Sequence, residues 1–530
     1  LRWLSTEIEE RTLILTHRKP EPKTSLSDQI VDTAAQFGWS LGEDRLPEFT
    51  AAIGGLADSY RRLAELDTKH CPEPVPRKDA GRPPGITESS AWAWRCSIQD
   101  QDEGGLAGVS VAIKDSIAVA GLPTVMGSEL LMQEGTQHIA LEDATVVRRL
   151  LDAGAIITGK STTEDLCIGG SSCTSLPQPV ENPHLPGRSA GGSSSGSAAL
   201  LTSGEVDLAL GADQGGSIRI PAALCGVVGL KPTFGLVPFT GVQGLVWGLD
   251  HVGPMARTVR EVAAALDVLS GSDGIDHRCA PTEIPLARAA LGESIDGLRV
   301  GILTEGFELT TQGETEFPGS AAAAELVRER AWALTNMGLQ VVDISIPLHD
   351  EARHIYGLLL VETAAINIWR AYGQAGADRG PAGDTPIASI IQALSAYPEL
   401  ASDPTKLVAI AGSLFLDHHR GDSLASAARL TQKLKTAYDK ALCEVDVLVH
   451  PTTAPAGVSG YLPAPGQGVL VESLAYFHNT CATNLTGHPS VSVPVGQIDG
   501  APVGMHITGK HFADATILQV ASAIEVISSR

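Results

Sequence analysis

The sequence predicts an α/β protein: a layered α/β/α fold around a mixed, mostly parallel central sheet, with an N-terminal helical extension. Three observations lead there. From about residue 106 onward, short apolar runs with the length and β-branched content of buried strands alternate with longer segments of helical periodicity. That alternation is the pattern of a sheet covered by helices. The composition, 43% apolar with only 4% aromatic residues and 56 glycines in 530, is that of a large globular chain built on small aliphatic side chains. The first 75 residues stand apart, with helical spacing and no strand pattern.

In chain order, residues 26–66 carry apolar side chains at three- and four-residue steps. A polar, proline-rich stretch from Cys71 to Pro84 ends this region. Residues 1–75 are therefore expected to form a helical extension serving either packing or dimerisation, with the main domain over 85–530. Leu106–Asp115 reads as a buried strand that delivers Lys114 at its C-terminal end, where ligands gather in open α/β sheets. Asp143 to Gly154 reads as a helix with an Asp cap and a Gly stop, followed by a strand over Ala155–Lys160. A strand-like run enters the glycine-rich turn after Leu208–Asp213. Further strands are expected at Leu298–Leu303, Leu339–Ile344, Val447–His450, Val491–Pro494 and Val503–Ile507. The matching helices are expected over Ala321–Met337, 351–372, 421–443 and Asp514–Val526. Length alone suggests three or four domains, but no internal repeat of 20–50 residues is present.

The charge of −23 argues against nucleic acid as a partner, because that affinity comes largely from Lys and Arg displacing counterions. No apolar run is long enough for a transmembrane helix, and Leu1–Arg11 is too charged for a signal peptide. The eight cysteines include no Cys-x-x-Cys pair and no His partner at ligand spacing, so neither the common zinc patterns nor a disulfide framework is expected. They read as reduced thiols of a cytoplasmic protein with no metal and no cofactor. Asn484-Leu-Thr is a formal glycosylation sequon of a kind that arises by chance.

Chemistry is concentrated in residues 187–237, where two Gly-Gly-Ser turns lie 24 positions apart, at Ser193 and Ser217. Glycine allows close backbone approach, so such turns present a hydroxyl beside bare N–H groups. Two other patterns compete. Gly154 to Ser161 matches a phosphate-binding loop, but a helix precedes it and its interior is a strand. Gly192-Ser-Ser-Ser-Gly196 matches a nucleophile elbow centred on Ser194, but Arg188 to Gly192 lacks the strand an elbow needs. The second turn fits acyl transfer better. The N–H groups of Gln214, Gly215, Gly216 and Ser217 can form a nest for an oxyanion beside the Ser217 hydroxyl.

Taken together, Val111-Ala-Ile-Lys-Asp, Gly191-Gly-Ser-Ser-Ser-Gly-Ser-Ala-Ala, Gly211-x-Asp-x-Gly-Gly-Ser-Ile-Arg-x-Pro-Ala and Gly226-x-x-Gly-Leu-Lys-Pro-Thr resemble the amidase signature family. The likeness extends over Asp143–Lys160, Asp446 to Thr452 and Gly487 to Pro494, roughly residues 85–530 in all. Gln214, where many members carry Thr, resembles the bacterial nitrile-pathway amidases, which also have a helical N-terminal segment used in homodimers. The resemblance implies a Ser–cis-Ser–Lys triad: Ser217 as nucleophile, Ser193 as bridging serine after a cis peptide from Gly192, and Lys114 as base. A lysine can act so only when neutral, and full burial can bring it from about 10.4 into the range where it titrates near neutrality. Each oxyanion donor is worth about 3–4 kcal/mol of barrier. Asp213 and Arg219 read as structural, and Gly169–Cys173 as a loop touching substrate.

The expectation is an amidase cleaving a small-molecule amide to carboxylate and ammonia through an acyl-enzyme. Alternatives are a glutamine-amidase subunit of a tRNA-dependent amidotransferase, a carbamate or ester hydrolase with the same triad, and a binding protein with an inactive site. No membrane partner is expected.

Overall fold

In the computed structural model the described residues are 25–70, 73–77, 80–85, 88–279, 286–308, 319–370, 386–455 and 476–529. The chain divides into two compact units, one of residues 1–74 with 394–396 and one of 75–393 with 397–530. Within the first, helices α1 (Leu26–Gln36) and α2 (Leu46–His70) are joined by a bond between Ser27 Oγ and Thr50 Oγ1 at 3.3 Å. A capping box starts α1. Ser25 Oγ accepts the Asp28 N–H at 3.2 Å and Asp28 Oδ2 accepts the Ser25 N–H at 3.0 Å.

The second unit is built on one 11-stranded sheet. Its strands in chain order are β1 (Trp92–Ile98), β2 (Ser110–Lys114), β3 (Ile156–Ser161), β4 (Leu208–Asp213), β5 (Val228–Lys231) and β6 (His251–Ala256). They continue as β7 (Arg299–Leu303), β8 (Gln340–Ile344), β9 (Val447–Pro451), β10 (Ser490–Ile498) and β11 (Ala501–Gly509). The spatial order is β1-β3-β2-β4-β6-β5-β10-β11-β9-β7-β8. The sheet is mixed, as expected, but it is not mostly parallel. Only β3-β2-β4 and β9-β7-β8 pair in parallel, and the other neighbours are antiparallel. The alternation of strands and helices overstates the parallel share because β6 inserts antiparallel between β4 and β5, which helix Arg219–Cys225 connects in the same direction, and β10 and β11 then pair antiparallel with their neighbours.

Side-chain alternation along the strands separates two layers. Val111, Ile113, Leu208, Leu210 and Val252 face a large core shared with helices Thr145–Asp152, Val259–Leu269, Ser320–Ala333 and Asp514–Ser528. The opposite face of the same strands is small: Ala112, Ala209 and Met255 join a second cluster with helices α3 (Ser195–Thr202) and α4 (Arg219–Cys225). A Cβ at Gly229 would lie 2.7 Å from Ala222, so α4 lies almost on the strands. Close approach puts the starts of both helices at the strand ends, and Lys114 and Asp213 continue this small face.

Most expected elements are present, with some differences. Helix Thr145–Asp152 is not capped by Asp143; Ala144 occupies the cap without a side-chain bond. Asp143 instead accepts the Ala120 N–H at 2.9 Å and pairs with Arg77. The short strand Leu185–Ser189 precedes the first serine turn, in a two-stranded ribbon with Glu181–Asn182. The helix expected over 351–372 is α-helical over Ala352–Ala364 and π-helical over Ala365–Arg370, with 371–372 outside the described residues. Helices Ile387–Ala396 and Asp403–His419 have no counterpart among the expected elements. Among the described residues no helix is long and apolar enough to cross a membrane. None of the seven described cysteines is in a disulfide.

The closeness of α3 to the sheet is testable. A Cβ on Gly196 would stand 2.3 Å from the Ala91 carbonyl oxygen and 2.6 Å from the Thr162 nitrogen, both backbone atoms. Gly196→Ala is expected to cost about 2–3 kcal/mol through this overpacking, seen as a lower midpoint in urea with an unchanged slope.

Candidate active site

Lys114 ends β2 and is fully buried. Its Nζ donates to Ser193 Oγ at 2.8 Å and to the Ala212 carbonyl at 3.2 Å. Burial lowers its pKa, opposed by Cys167, Asp213, Glu164 and Asp250. No carboxylate pairs with it among the described residues. Its sheet neighbour Lys160, by contrast, pairs with Asp115 Oδ1 at 2.8 Å. Lys114 thus meets only neutral acceptors, the surroundings that favour a neutral amine.

The Gly192–Ser193 peptide is cis. The two serine turns touch through backbone: the Ser194 N–H donates to the Ser217 carbonyl at 3.1 Å. Ser193 Oγ and Ser217 Oγ share no hydrogen bond among the described residues. Bonds of this kind commonly close only around substrate. Ser194, the centre of the elbow pattern, points elsewhere: its Oγ donates to the Ala212 carbonyl at 3.3 Å. Gly154–Ser161 is a helix end running into β3 rather than a phosphate loop.

Ser217 follows β4 across the turn Gln214-Gly215-Gly216 and is 2% exposed. Gly216 has φ +146°, and a Cβ there would lie 2.2 Å from Thr480 Oγ1, so the turn requires glycine at that position. Among the described residues the backbone N–H groups of Gln214, Gly215, Gly216 and Ser217 donate to no protein acceptor, whereas the next, Ile218, donates to Asp213 Oδ2 at 3.0 Å. Thr480 Oγ1 donates to the Gly215 carbonyl at 2.5 Å, and Asn484 Nδ2 to the Asp213 carbonyl at 3.1 Å. The turn's carbonyls are held while its N–H groups stay available to an anionic oxygen.

Asp213 and Arg219 are structural, as their sequence context suggests. Arg219 Nε and Nη2 bond the two Asp213 oxygens at 3.0 and 2.8 Å, both residues fully buried. Arg219 Nη1 also donates to the Thr480 carbonyl at 2.9 Å, Thr483 Oγ1 at 2.6 Å and His506 Nε2 at 2.8 Å. This pairing holds the Asp213 carboxyl well below the usual range against the opposing effect of burial. Asn484, the sequon residue, is fully buried within this cluster, where no glycan fits.

Three features escaped the sequence. Glu164 lies between β3 and the Gly169–Cys173 loop and accepts the Ser171 N–H at 3.0 Å and its Oγ at 3.1 Å. The carboxyl group also lies against Gly192, and a Cβ there would be 3.1 Å from its carbon. Gly169–Cys173 therefore lies against the cis peptide. Asp250 accepts the Leu245 and Val246 N–H groups at 3.0 Å each. Tyr356 covers Gly215, where a Cβ would meet its Oη at 2.2 Å. The Thr-Thr-Glu-Asp run after β3 was the available signal for Glu164; Asp250 and Tyr356 carry none.

Burial raises Glu164 and Asp250 each to about 7. An acid whose folded pKa is raised binds its proton more tightly when folded. Its stabilising effect is full below the unfolded pKa and is lost as pH rises toward the folded value. For Glu164 that window runs from 4.5 to about 7 and is worth on the order of 3 kcal/mol. Glu164→Gln, which keeps an acceptor for Ser171, is therefore expected to raise the thermal midpoint more at pH 8 than at pH 5. An equal change at both pH values would exclude this assignment.

The family model for Amidase matches residues 87–518. An enantioselective amidase of Rhodococcus rhodochrous is 38% identical over 506 residues, covering 94% of this chain and 94% of the relative. The A chain of the glutamyl-tRNA(Gln) amidotransferase of Natronomonas pharaonis is 35% identical over 438 residues, covering 81% and 97%. The crystal structure of a bacterial aryl acylamidase of the amidase signature family superposes with a TM-score of 0.66 at 26% identity, covering 81% of this chain and 84% of that one. The chain belongs to the amidase signature family and is an amide-hydrolysing enzyme.

Proposed function

We propose that Ser217 is the nucleophile, Ser193 the proton relay and Lys114 the base of an amidase that forms an acyl-enzyme. The observation that carries this reading is the 2.8 Å bond from the buried, unpaired Lys114 Nζ to Ser193 Oγ. Ser217 Oγ attacks the amide carbonyl carbon. Its proton passes to Ser193, whose own proton goes to the neutral Lys114 amine. The oxyanion lies against the free N–H groups of Gln214, Gly215, Gly216 and Ser217. Collapse breaks the C–N bond, and the leaving amine takes a proton back through Ser193. Water then attacks the ester by the same route, releasing the carboxylate and restoring Ser217.

A free-standing enzyme acting on small amides is favoured over a glutamine-amidase component of a larger complex. The Rhodococcus amidase aligns along 94% of both chains, whereas the Natronomonas amidotransferase chain covers 81% of this one. The purified chain alone is expected to release ammonia from simple aliphatic or aromatic amides. Activity confined to glutamine in the presence of tRNA partners would reverse that preference. Ser217→Ala is expected to lower kcat by at least about 10⁴-fold, with Ser194→Ala within about tenfold of wild type. Loss of activity in Ser194→Ala with retention in Ser217→Ala would move the nucleophile to the first turn. Because burial lowers the Lys114 pKa, kcat/KM is expected to fall on the acid side as the amine protonates.

We further propose that the N-terminal unit mediates a homodimer, in a cytoplasmic protein. Val31, Phe37, Trp39, Phe49, Leu56 and Leu63 are all exposed there, a density of apolar side chains that marks an interface. Cysteines outside any disulfide, as all seven described ones are, fit a reducing compartment. Light scattering is expected to give twice the 55.2 kDa chain mass. Combined Trp39→Ser, Leu56→Ser and Leu63→Ser substitutions should return it to one chain mass; an unchanged mass would remove the extension from the interface.

A further inference from the structure

Beyond the amidase site, three potential metal ligands converge at the same sheet edge: Asp439, His488 and His511. Asp439 lies on helix Asp422–Glu444, His488 just before β10, and His511 just after β11. Their three candidate ligand atoms all lie within 4.8 Å of one another. His488 Nε2 is 3.1 Å and His511 Nδ1 3.8 Å from the same atom, Asp439 Oδ1. A tetrahedral zinc ion with bonds of about 2.0–2.2 Å requires ligand atoms roughly 3.3–3.5 Å apart. The two separations from Asp439 Oδ1 bracket that value.

The surroundings suit ligation. His511 Nε2 lies 3.0 Å from the Thr486 carbonyl. Donation there leaves the lone pair on Nδ1, aimed at the cluster, which is how metal-bound imidazoles are usually oriented. His488 is fully buried, its ring lies 5.6 Å from that of Tyr438, and its carbonyl accepts Lys231 Nζ at 2.8 Å, so its backbone is fixed. Its Nε2 faces Asp439 Oδ1, while its buried Nδ1 has no partner among the described residues. Lys435 Nζ takes the other carboxylate oxygen, Oδ2, at 2.7 Å, which leaves Oδ1 facing the two rings.

We propose that Asp439, His488 and His511 form a site for one divalent transition-metal ion with imidazole affinity, completed by water. The two histidines flank the β10–β11 pair, where Ser490 faces Thr508, so a bound ion fastens helix Asp422–Glu444 to that corner of the sheet. Its role is structural, since it touches neither Lys114 nor Ser217. The full chain, stripped with chelator and dialysed, is to be titrated with Zn²⁺ by calorimetry and with Co²⁺ by visible absorption. One Zn²⁺ per chain is expected, with the intense visible bands of four-coordinate Co²⁺ and a higher thermal midpoint in saturating Zn²⁺. His511→Ala and Asp439→Asn are each expected to weaken Zn²⁺ binding at least about 100-fold, beyond the 10–100-fold seen for outer-shell changes, and to abolish the midpoint rise. The unmetallated His511→Ala chain should keep wild-type amide turnover, which verifies its fold. Absence of Zn²⁺ binding by the wild-type chain, or equal binding by wild type and both variants, would overturn the assignment whatever the outcome for the proposed triad.

Discussion

Arg219 is the joint on which the reactive turn depends. Its guanidinium binds Asp213 through two nitrogens and reaches Thr480, Thr483, Asn484, Ser490 and His506, residues more than 260 positions further along the chain. Every partner is buried. An ion pair in this setting contributes little net stability, yet losing one partner strands a charge, commonly at a cost of about 3–5 kcal/mol. What the arrangement supplies is position. The strand that enters the turn and the helix that leaves it are pinned by one side chain, while Thr480 and Asn484 hold the carbonyls between. His506, with Nε2 taken as acceptor by Arg219, is held neutral by burial and the nearby cations and rings.

A second constraint is electrostatic and concerns how unequally two neighbouring lysines are treated. Lys160 and Lys114 end adjacent parallel strands, and both are fully buried. Lys160 has Asp115, together with the Thr124 hydroxyl at 2.8 Å. The acidic groups around Lys114 are otherwise occupied. Asp213 is committed to Arg219, and burial pushes Glu164 and Asp250 up to about 7, which halves their charge near neutrality. A lysine with a counterion serves structure; one without can give up its proton.

The grouping of the residues proposed for catalysis was more legible than the fold's details. Lys114, Ser193 and Ser217 sit in local motifs whose glycines and small residues are needed for close approach, so the sequence around each records its own constraint. Sheet polarity was not so recorded, because the antiparallel return through β6, β5 and β10 depends on pairing rather than on any local pattern. Asp143 looked like a cap because it precedes the helix, yet Arg77 and the Ala120 N–H claim its carboxylate. Helix Asp403–His419 did leave a trace: Ser402 caps it and Pro404 occupies its first turn. Asp250 and Tyr356 could not be found, since each meets the site through tertiary packing, and Glu164 had only the Thr-Thr-Glu-Asp run after β3 to mark it.

The mixed sheet has a consequence for how this protein can change. His251 opens β6 directly opposite Asp213, the last residue of β4. The reactive edge therefore gathers the outgoing ends of β2 and β4 and the incoming end of an antiparallel strand. The loop over 245–250 arrives on that incoming strand, tied by Asp250 to its own backbone and by Asn367 Nδ2 to the Leu245 carbonyl at 2.8 Å. It borders Gln214 but shares no strand with Lys114 or Ser217. A change in this loop therefore meets the turn after β4 through side chains alone, leaving the pairing of β2 and β4 as it is.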